Sequence, residues 1–370
     1  MKVLVTGGCG FIGSHLVDRL IKEGHRVKVY DILEPQVHLG KKPSYLNKEA
    51  EYIFDDIRNK EKLKEALKDI DIVFHQAAQV GVGQSMYEIE KYVSHNSLGT
   101  AILLDLIVNT KNNIKKIIVA SSMSIYGEGA YECKECGVVY PILRDDEQLK
   151  SKDWEMKCPK CRKEVKPQPT AEDKSLFPTS IYATTKRSQE EMCLEVGKAY
   201  KIPTVALRYF NVYGPRQSLS NPYTGVAAIF LSRVKNDKEP LIFEDGRQSR
   251  DFIYISDIIE ANILAMNKDE ANYDFFNVGT GEPHSILDIA RTIISLYGKD
   301  LKPEILGKFR AGDIRHCYSN ISKTSKKLEF RPRISFEEGM KELIKWSETQ
   351  EARDLTQKAQ TELKRKGLSE

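Results

Sequence analysis

The sequence predicts an α/β protein built on a doubly wound parallel sheet, with a smaller α/β lobe after it and a small four-cysteine insert. Three observations predict this. Short apolar runs alternate with helical stripes through the first half of the chain, the pattern of repeated strand–helix–strand units. Such units connect with one hand, so a sheet with helices on both faces is the simplest arrangement. The 370 residues also exceed what one core usually serves, which adds a second lobe.

The elements follow in order. "KVLVTGG" (2–8) reads as a buried strand. "GSHLVDRLIKEG" (13–24) places Leu16, Leu20 and Ile21 on one helical stripe, and Gly24 closes it. "RVKVYD" (26–31), "EYIF" (51–54) and "DIVFHQA" (71–77) read as strands. "KYVSHNSLGTAILLDLIVN" (91–109) reads as one long helix, and "KKIIVASS" (115–122) as the next strand. No internal repeat or low-complexity linker interrupts them.

Composition narrows the class. Apolar residues make up 41% and charged residues 30%, as in a soluble globular protein. A net charge of +4 over this length favours neither nucleic acid nor an acidic membrane. No apolar run reaches the 18 or so residues of a membrane span, and the run before Gly7 is too short for a secretory signal. The expected compartment is the cytoplasm. There the seven cysteines are metal ligands, catalysts or core residues before they are disulfides.

Gly7, Gly10 and Gly13 follow a strand and open a helix, the context of a dinucleotide fingerprint. Gly7 permits a tight turn, Gly10 lets a pyrophosphate approach the backbone, and Gly13 lets the helix pack close to the strand. With Phe11 and Ile12 they form the first turn, whose N–H groups suit phosphate. Asp31 ends the second strand, where a carboxylate hydrogen-bonds the ribose hydroxyls of NAD and repels the 2′-phosphate of NADP. Asp56, followed by Ile57, is placed to face the adenine edge. For both aspartates a turn-forming role is the competing reading.

Tyr182 and Lys186 are four apart at the start of a helix and share one face. A phenol titrates near 10, too high for a base at neutral pH. A nearby ammonium and the positive nicotinamide of NAD⁺ both favour the phenolate, so the pair makes a general base.

"TGGCGFIGSHLV", "SSMSIYG", "SIYATTK", "RYFNVYGPRQ", "RDFIYISDI" and "GDIRHCYSN" occur in that order. Together they resemble the extended short-chain dehydrogenase/reductase family, nearest its nucleotide-sugar epimerases and dehydratases. The resemblance runs from residue 1 to about 345 and breaks only between 128 and 175. It implies a Rossmann domain, bound NAD, a nucleotide-sugar substrate and a homodimer. It implies Tyr182 as base, Lys186 on the nicotinamide ribose, and Ser122 on the sugar's reacting oxygen with Ser124 nearby. Ala77, Ala78, Asn96 and Tyr209 would line the cofactor. Asn211 would face the substrate's diphosphate, and Arg250 and Arg315 its nucleotide, where the planar guanidinium fork suits phosphate. Either arginine could instead be an ion-pair partner.

Dehydratases of the family carry an Asp-Glu pair after the Ser/Thr, and decarboxylases a Glu at the second position. Here those positions are Met123 and Ser124, and neither can transfer protons in that way. Oxidation, turnover of the keto-sugar and return of the hydride remain, which is the chemistry of a 4-epimerase. "EPQVHLG", "QVGVGQSMYEIEKY" and "RQSLSNPYTGVAAIF" resemble a branch containing dTDP-L-rhamnose 4-epimerases, with UDP-glucose 4-epimerases the competitor. The substrate is therefore a dTDP- or UDP-linked hexose. A dehydratase or decarboxylase, and a non-catalytic NAD-binding protein with a partner-binding ribbon, are the alternatives.

Cys133, Cys136, Cys158 and Cys161 form C-x2-C-x21-C-x2-C, the spacing of two zinc knuckles closing an all-thiolate site. Four ligands leave no open position, so the zinc would be structural. Two local disulfides or free thiols are the competing reading. The insert is expected at the mouth of the active site. Cys9, Cys193 and Cys317 read as packed residues. The expected division is residues 1–127 plus 176–212 for NAD, 128–175 for the insert, 213–345 for the nucleotide sugar, and 346–370 as a charged helix or tail. In that tail Leu355, Ala359 and Leu363 share helical spacing, on a solvated helix or one that binds a partner.

Overall fold

The alternating periods close into one seven-stranded sheet in the computed structural model, which describes residues 1–369. Across the sheet the strands run Asp274–Val278, Thr204–Tyr209, Lys116–Ser122, Ile72–His75, Lys2–Thr6, Arg26–Asp31 and Glu51–Phe54. Every neighbouring pair is parallel. Chain order reverses between Lys2–Thr6 and Ile72–His75, and the carboxyl ends of those two strands open a crevice at this switch point. Their side chains are buried on both faces, as a sheet covered by helices on each side requires.

The helix Phe11–Lys22 ends as its glycine predicts: Gly24 adopts φ +80° and its N–H reaches the Ile21 carbonyl at 2.8 Å. The long helix after Ile72–His75 is not regular. Ile89–Tyr92 and Gly99–Asn109 are α-helical, and Val93–Leu98 between them is a π-helical turn. The extra residue in that turn carries Asn96 inward, where it is fully buried. Ser180 caps the helix Ile181–Tyr200, its Oγ accepting the Ala183 N–H at 3.1 Å. That cap sets where Tyr182 enters the helix.

The expected boundary at residue 213 divides the chain less cleanly than its sequence suggested. The sheet takes its seventh strand, Asp274–Val278, from beyond it. That strand pairs with Thr204–Tyr209 through the crossover helix Ile255–Asn267, since the Thr204–Tyr209 edge would otherwise be unpaired. The remaining second lobe is a small sheet centred on Ser249–Tyr254, with Asn211–Tyr213, Pro283–Ser285 and His316–Cys317 beside it.

Residues 128–175 form a separate three-stranded sheet, with Ala130–Cys133 between Gly137–Val139 and Lys166–Gln168. Its core is small: Tyr131, Val139 and Met156 around the cysteines, too little to hold together unaided. The charged stretch after 346 is solvated on most of its surface, with one apolar helix edge docked on the rest of the chain. Residues 346–348 complete the helix Phe336–Glu348, and Thr356–Arg365 forms a further helix that folds back with Ala359 and Leu363 buried. Among the described residues no helix is long and apolar enough to cross a membrane.

Candidate active site

One large cavity, about 650 Å³, lies where the carboxyl ends of the sheet meet the second lobe. Gly7, Gly10, Phe11, Ile12, Gly13, Asp31, Ile57, Ala77, Ala78 and Tyr209 line it, as do Ser122, Ser124, Tyr182, Lys186, Asn211 and Arg250. Residues spread over more than 240 positions of sequence thus converge on one space.

The nucleotide end is shaped by backbone. Gly7 adopts φ +71°, and a Cβ there would sit 2.8 Å from the Ala77 nitrogen. A Cβ at Gly13 would stand 2.2 Å from the Gly7 carbonyl oxygen. Both positions therefore exclude any side chain. Gly10 caps the helix without a side-chain acceptor, which leaves first-turn N–H groups for an anion. Asp31 accepts the Cys9 N–H at 2.9 Å and the Leu33 N–H at 2.8 Å. Burial pushes its carboxyl group up, and the two N–H groups oppose that. Uncapped amides, a cradle that only glycine allows and a carboxylate at the second strand's end fit the diphosphate and ribose of NAD.

Tyr182 and Lys186 share the expected helix face, and Ser122 ends the strand opposite. The Tyr182 N–H donates to Ser85 Oγ at 3.0 Å, which fixes the ring's entry. Ser124 Oγ lies 2.9 Å from Ser122 Oγ. The electrostatics differ from the expectation that the ammonium activates the phenol. Burial raises Tyr182 above its ordinary value, opposed only by the Ser122 hydroxyl. Lys186 Nζ donates instead to Gln189 Oε1 at 2.8 Å, and burial lowers it to about 8. Gln189 Nε2 continues inward to Thr100 Oγ1 at 2.8 Å and to His75 Nε2 at 3.1 Å. Behind Ser122, the guanidinium of Arg208 forks onto Glu190 and reaches the Tyr126 hydroxyl at 2.8 Å. This buried pair stiffens the strand end.

Three expected residues are not in the cavity wall. Asp56 turns its carboxylate to Arg58, at 2.9 Å and 2.6 Å, and its neighbours Asp55 and Ile57 line the cavity instead. Asn96 stands behind the wall, accepting the Gln79 N–H at 2.7 Å and donating to Thr185 Oγ1 at 2.9 Å. Arg315 is fully buried among Glu244, Asp245 and Glu155. The arginine that does line the cavity beside Arg250 is Arg310, over the Phe243 ring at 4.5 Å. "FRAGDIR" offers two arginines around one Gly-Asp turn, and the turn's geometry decides which faces inward. Arg250 Nη2 donates to the Ile314 carbonyl at 2.6 Å, so it also holds that turn. Asn211 Oδ1, Gln217 Oε1 and Gln248 Oε1 are buried, have no partner among the described residues, and belong to cavity-lining side chains. Such orphaned acceptors need a ligand's donors or water. Gln217 ends the motif "RYFNVYGPRQ" but was given no role there, and Gln248 lies outside every quoted motif.

The four insert cysteines gather with their sulfurs within 4.8 Å of one another, and Cys133 and Cys161 Sγ are 3.5 Å apart. None is in a disulfide. Zinc–thiolate bonds of about 2.3 Å at tetrahedral angles place sulfurs about 3.8 Å apart, so the cluster fits such a site. The backbone N–H groups of Cys161 and Lys160 face Cys158 and pull its thiol down to about 6. The insert contributes nothing to the cavity wall. It holds the 310–316 turn from behind: Glu128 accepts the Arg315 and His316 N–H groups at 2.7 Å and 2.8 Å. Arg144 bonds Glu244 and reaches the Asp313 carbonyl at 3.3 Å.

A family profile, one relative and two solved structures match this chain. The NAD dependent epimerase/dehydratase family profile matches residues 3–142 and 159–279, passing over part of the insert. A dTDP-L-rhamnose 4-epimerase of Burkholderia thailandensis is 36% identical over 352 residues, 93% of this chain and 94% of that one. The UDP-glucuronic acid 4-epimerase of Bacillus cereus, solved with UDP-glucuronic acid and NAD, superposes with a TM-score of 0.78 at 31% identity. The alignment covers 94% of this chain and 99% of that one. The UDP-glucose 4-epimerase of Thermotoga maritima, solved with UDP-glucose, gives 0.77 at 32% identity with the same coverage.

Proposed function

The chain belongs to the NAD-dependent epimerase/dehydratase family, and from that premise we propose that it is an NAD-dependent nucleotide-sugar 4-epimerase. Its substrate is a nucleoside-diphosphate hexose, dTDP-L-rhamnose-type first and UDP-glucose-type second. One observation carries the choice of reaction. Ser122, Tyr182 and Lys186 meet at a cavity lined by four acids among the described residues, Asp31, Asp55, Glu244 and Asp313, each already engaged. Asp31 holds backbone N–H groups, Asp55 holds Asn59, Glu244 holds Arg144 and Arg315, and Asp313 holds Arg310. With Met123 and Ser124 following Ser122, no carboxylate is free to expel water or drive decarboxylation.

When bound, NAD supplies the acceptor and then the donor of the hydride. The glycine loop and Asp31 hold it, and Lys186 orients its ribose. Tyr182 takes the proton from the sugar's 4-hydroxyl and later returns it, while Ser122 holds the same oxygen. Asn211 and Arg310 face the nucleotide side. Residues 1–127 with 176–212 would serve mainly the cofactor and 213–345 mainly the nucleotide sugar. The four cysteines hold one structural zinc. A non-catalytic role would leave the three catalytic groups unused.

The test is a screen of dTDP- and UDP-hexoses by NMR with purified protein and no added reductant. Interconversion of C4 epimers is expected, dTDP-L-rhamnose among the substrates. A dehydrated or decarboxylated product, or no turnover at all, overturns the reading.

A further inference from the structure

The segment after Gln350 crosses the cavity. Asp354 anchors its start, accepting Arg233 at 3.2 Å and Lys238 at 3.0 Å. The Arg353 N–H donates to Ser220 Oγ at 2.9 Å. Its far end returns to the turn that carries Arg310: the Ala311 N–H meets the Leu368 carbonyl at 3.1 Å, and Ser369 pairs with Arg310 in an antiparallel bridge. Between these anchors Leu363 packs on the cofactor side, so close to Gly83 that a Cβ there would lie 3.3 Å from its Cδ2. The strap therefore joins both walls of the cleft, and Gln360, Leu363 and Leu368 line the cavity.

Its composition explains why it is there. Thr356–Arg365 is ten residues long, with only Ala359 and Leu363 buried. A helix that short is marginal in water on its own. Its order comes from docking its one apolar edge on the cavity rim, so contents beneath that rim add to its stability.

We propose that Gln360, Leu363 and Leu368 form the roof of the nucleotide-sugar pocket and contact the substrate there, so that the strap must part for entry and release. This rests on the epimerase reading for the identity of the substrate. A ceiling of two leucines and one glutamine strengthens the pocket's hold by excluding water, and it contributes nothing to the proton and hydride steps.

The test is Leu363→Asp in the full chain, with Leu363→Met beside it. For Leu363→Asp the expected result is a KM for the nucleotide sugar raised about tenfold, kcat within about threefold, and unchanged NAD content. Trypsin should cut faster after Lys358 and Lys364, and Leu363→Met should restore most of the KM. Calorimetry with UDP and dTDP, run in parallel, separates the two readings. If no sugar is epimerised but Leu363→Asp weakens nucleoside diphosphate binding, the roof stands and the reaction falls. If the wild type epimerises and neither KM nor diphosphate affinity moves once trypsin shows the strap released, the roof is wrong. A wild type that neither turns over nor binds a nucleoside diphosphate removes both.

Discussion

Tyr182 sits where burial works against it. Its phenol is raised, and the nearest ammonium gives its hydrogen bond to Gln189. The phenolate therefore depends on a further positive charge beside the ring, which the oxidised nicotinamide provides. Tyr182→Phe keeps the ring and removes only the base. Turnover is expected to fall about 10²–10⁴-fold, with the bound NAD and thermal unfolding of the wild type. Near-normal turnover would remove Tyr182 from the mechanism. A second contrast concerns two arginines five residues apart. Arg315 is fully buried among three carboxylates, and its loss leaves the buried Glu244 with Arg144 alone. Arg315→Ala is expected to cost about 3–5 kcal/mol in urea unfolding. Arg310 is partly exposed and faces the cavity. Arg310→Ala is expected to change stability by less than about 1 kcal/mol and to raise KM about tenfold. Equal stability losses would mean the buried cluster does not hold the turn.

At the scale of elements, the sheet and the site were legible to different degrees. Strand and helix periods are local, so the parallel class of the sheet and the place of the glycine loop could be read directly, whereas the seventh strand, Asp274–Val278, was not foreseen. Tyr182 and Lys186 were legible because a helix converts a spacing of four into one face. The π turn at Val93–Leu98 was not, since one inserted residue leaves the apolar pattern intact. It is also what buries Asn96 against Gln79. Nor did sequence show that His75 is buried between Thr6 and Thr100, at 2.8 Å from each hydroxyl. Burial lowers His75 from 6.5 to about 3. Between those values the unfolded chain binds a proton that the folded chain does not. The contribution is whole above about pH 6.5 and is lost as pH falls toward 3. Between pH 7 and pH 5 this amounts to about 2 kcal/mol at most. His75→Gln should therefore lose less stability than the wild type over that range in urea titrations. Parallel losses would show that His75 is not the titrating group.

At the scale of the whole molecule, the insert and the strap act on the same turn. The insert grips residues 313–316 from outside, through Glu128, Arg144 and Glu155. The strap pairs with residues 310 and 311 from the cavity side. Sequence located the cysteines but not this grip, because its charged partners lie more than 70 positions apart and leave no local pattern. Residue spacing likewise placed the insert at the mouth of the site, whereas it lines none of the cavity and reaches it through the turn and through Glu244. The consequence is testable through the proposed metal. Metal analysis should find one zinc per chain, and Cys133→Ser should lose it, since binding and folding of so small a core are one process. Residues 128–175 should then loosen, and the amides of Arg315 and His316 should exchange faster as Glu128 lets go. KM for the nucleotide sugar should rise more than kcat falls, because the turn carries Arg310 and no proton-transfer group. Bound NAD should remain, since the glycine loop lies on strands the insert does not touch. Full activity without metal, or slow exchange at 315 and 316 once the metal is gone, would show that the insert holds the turn by some other means.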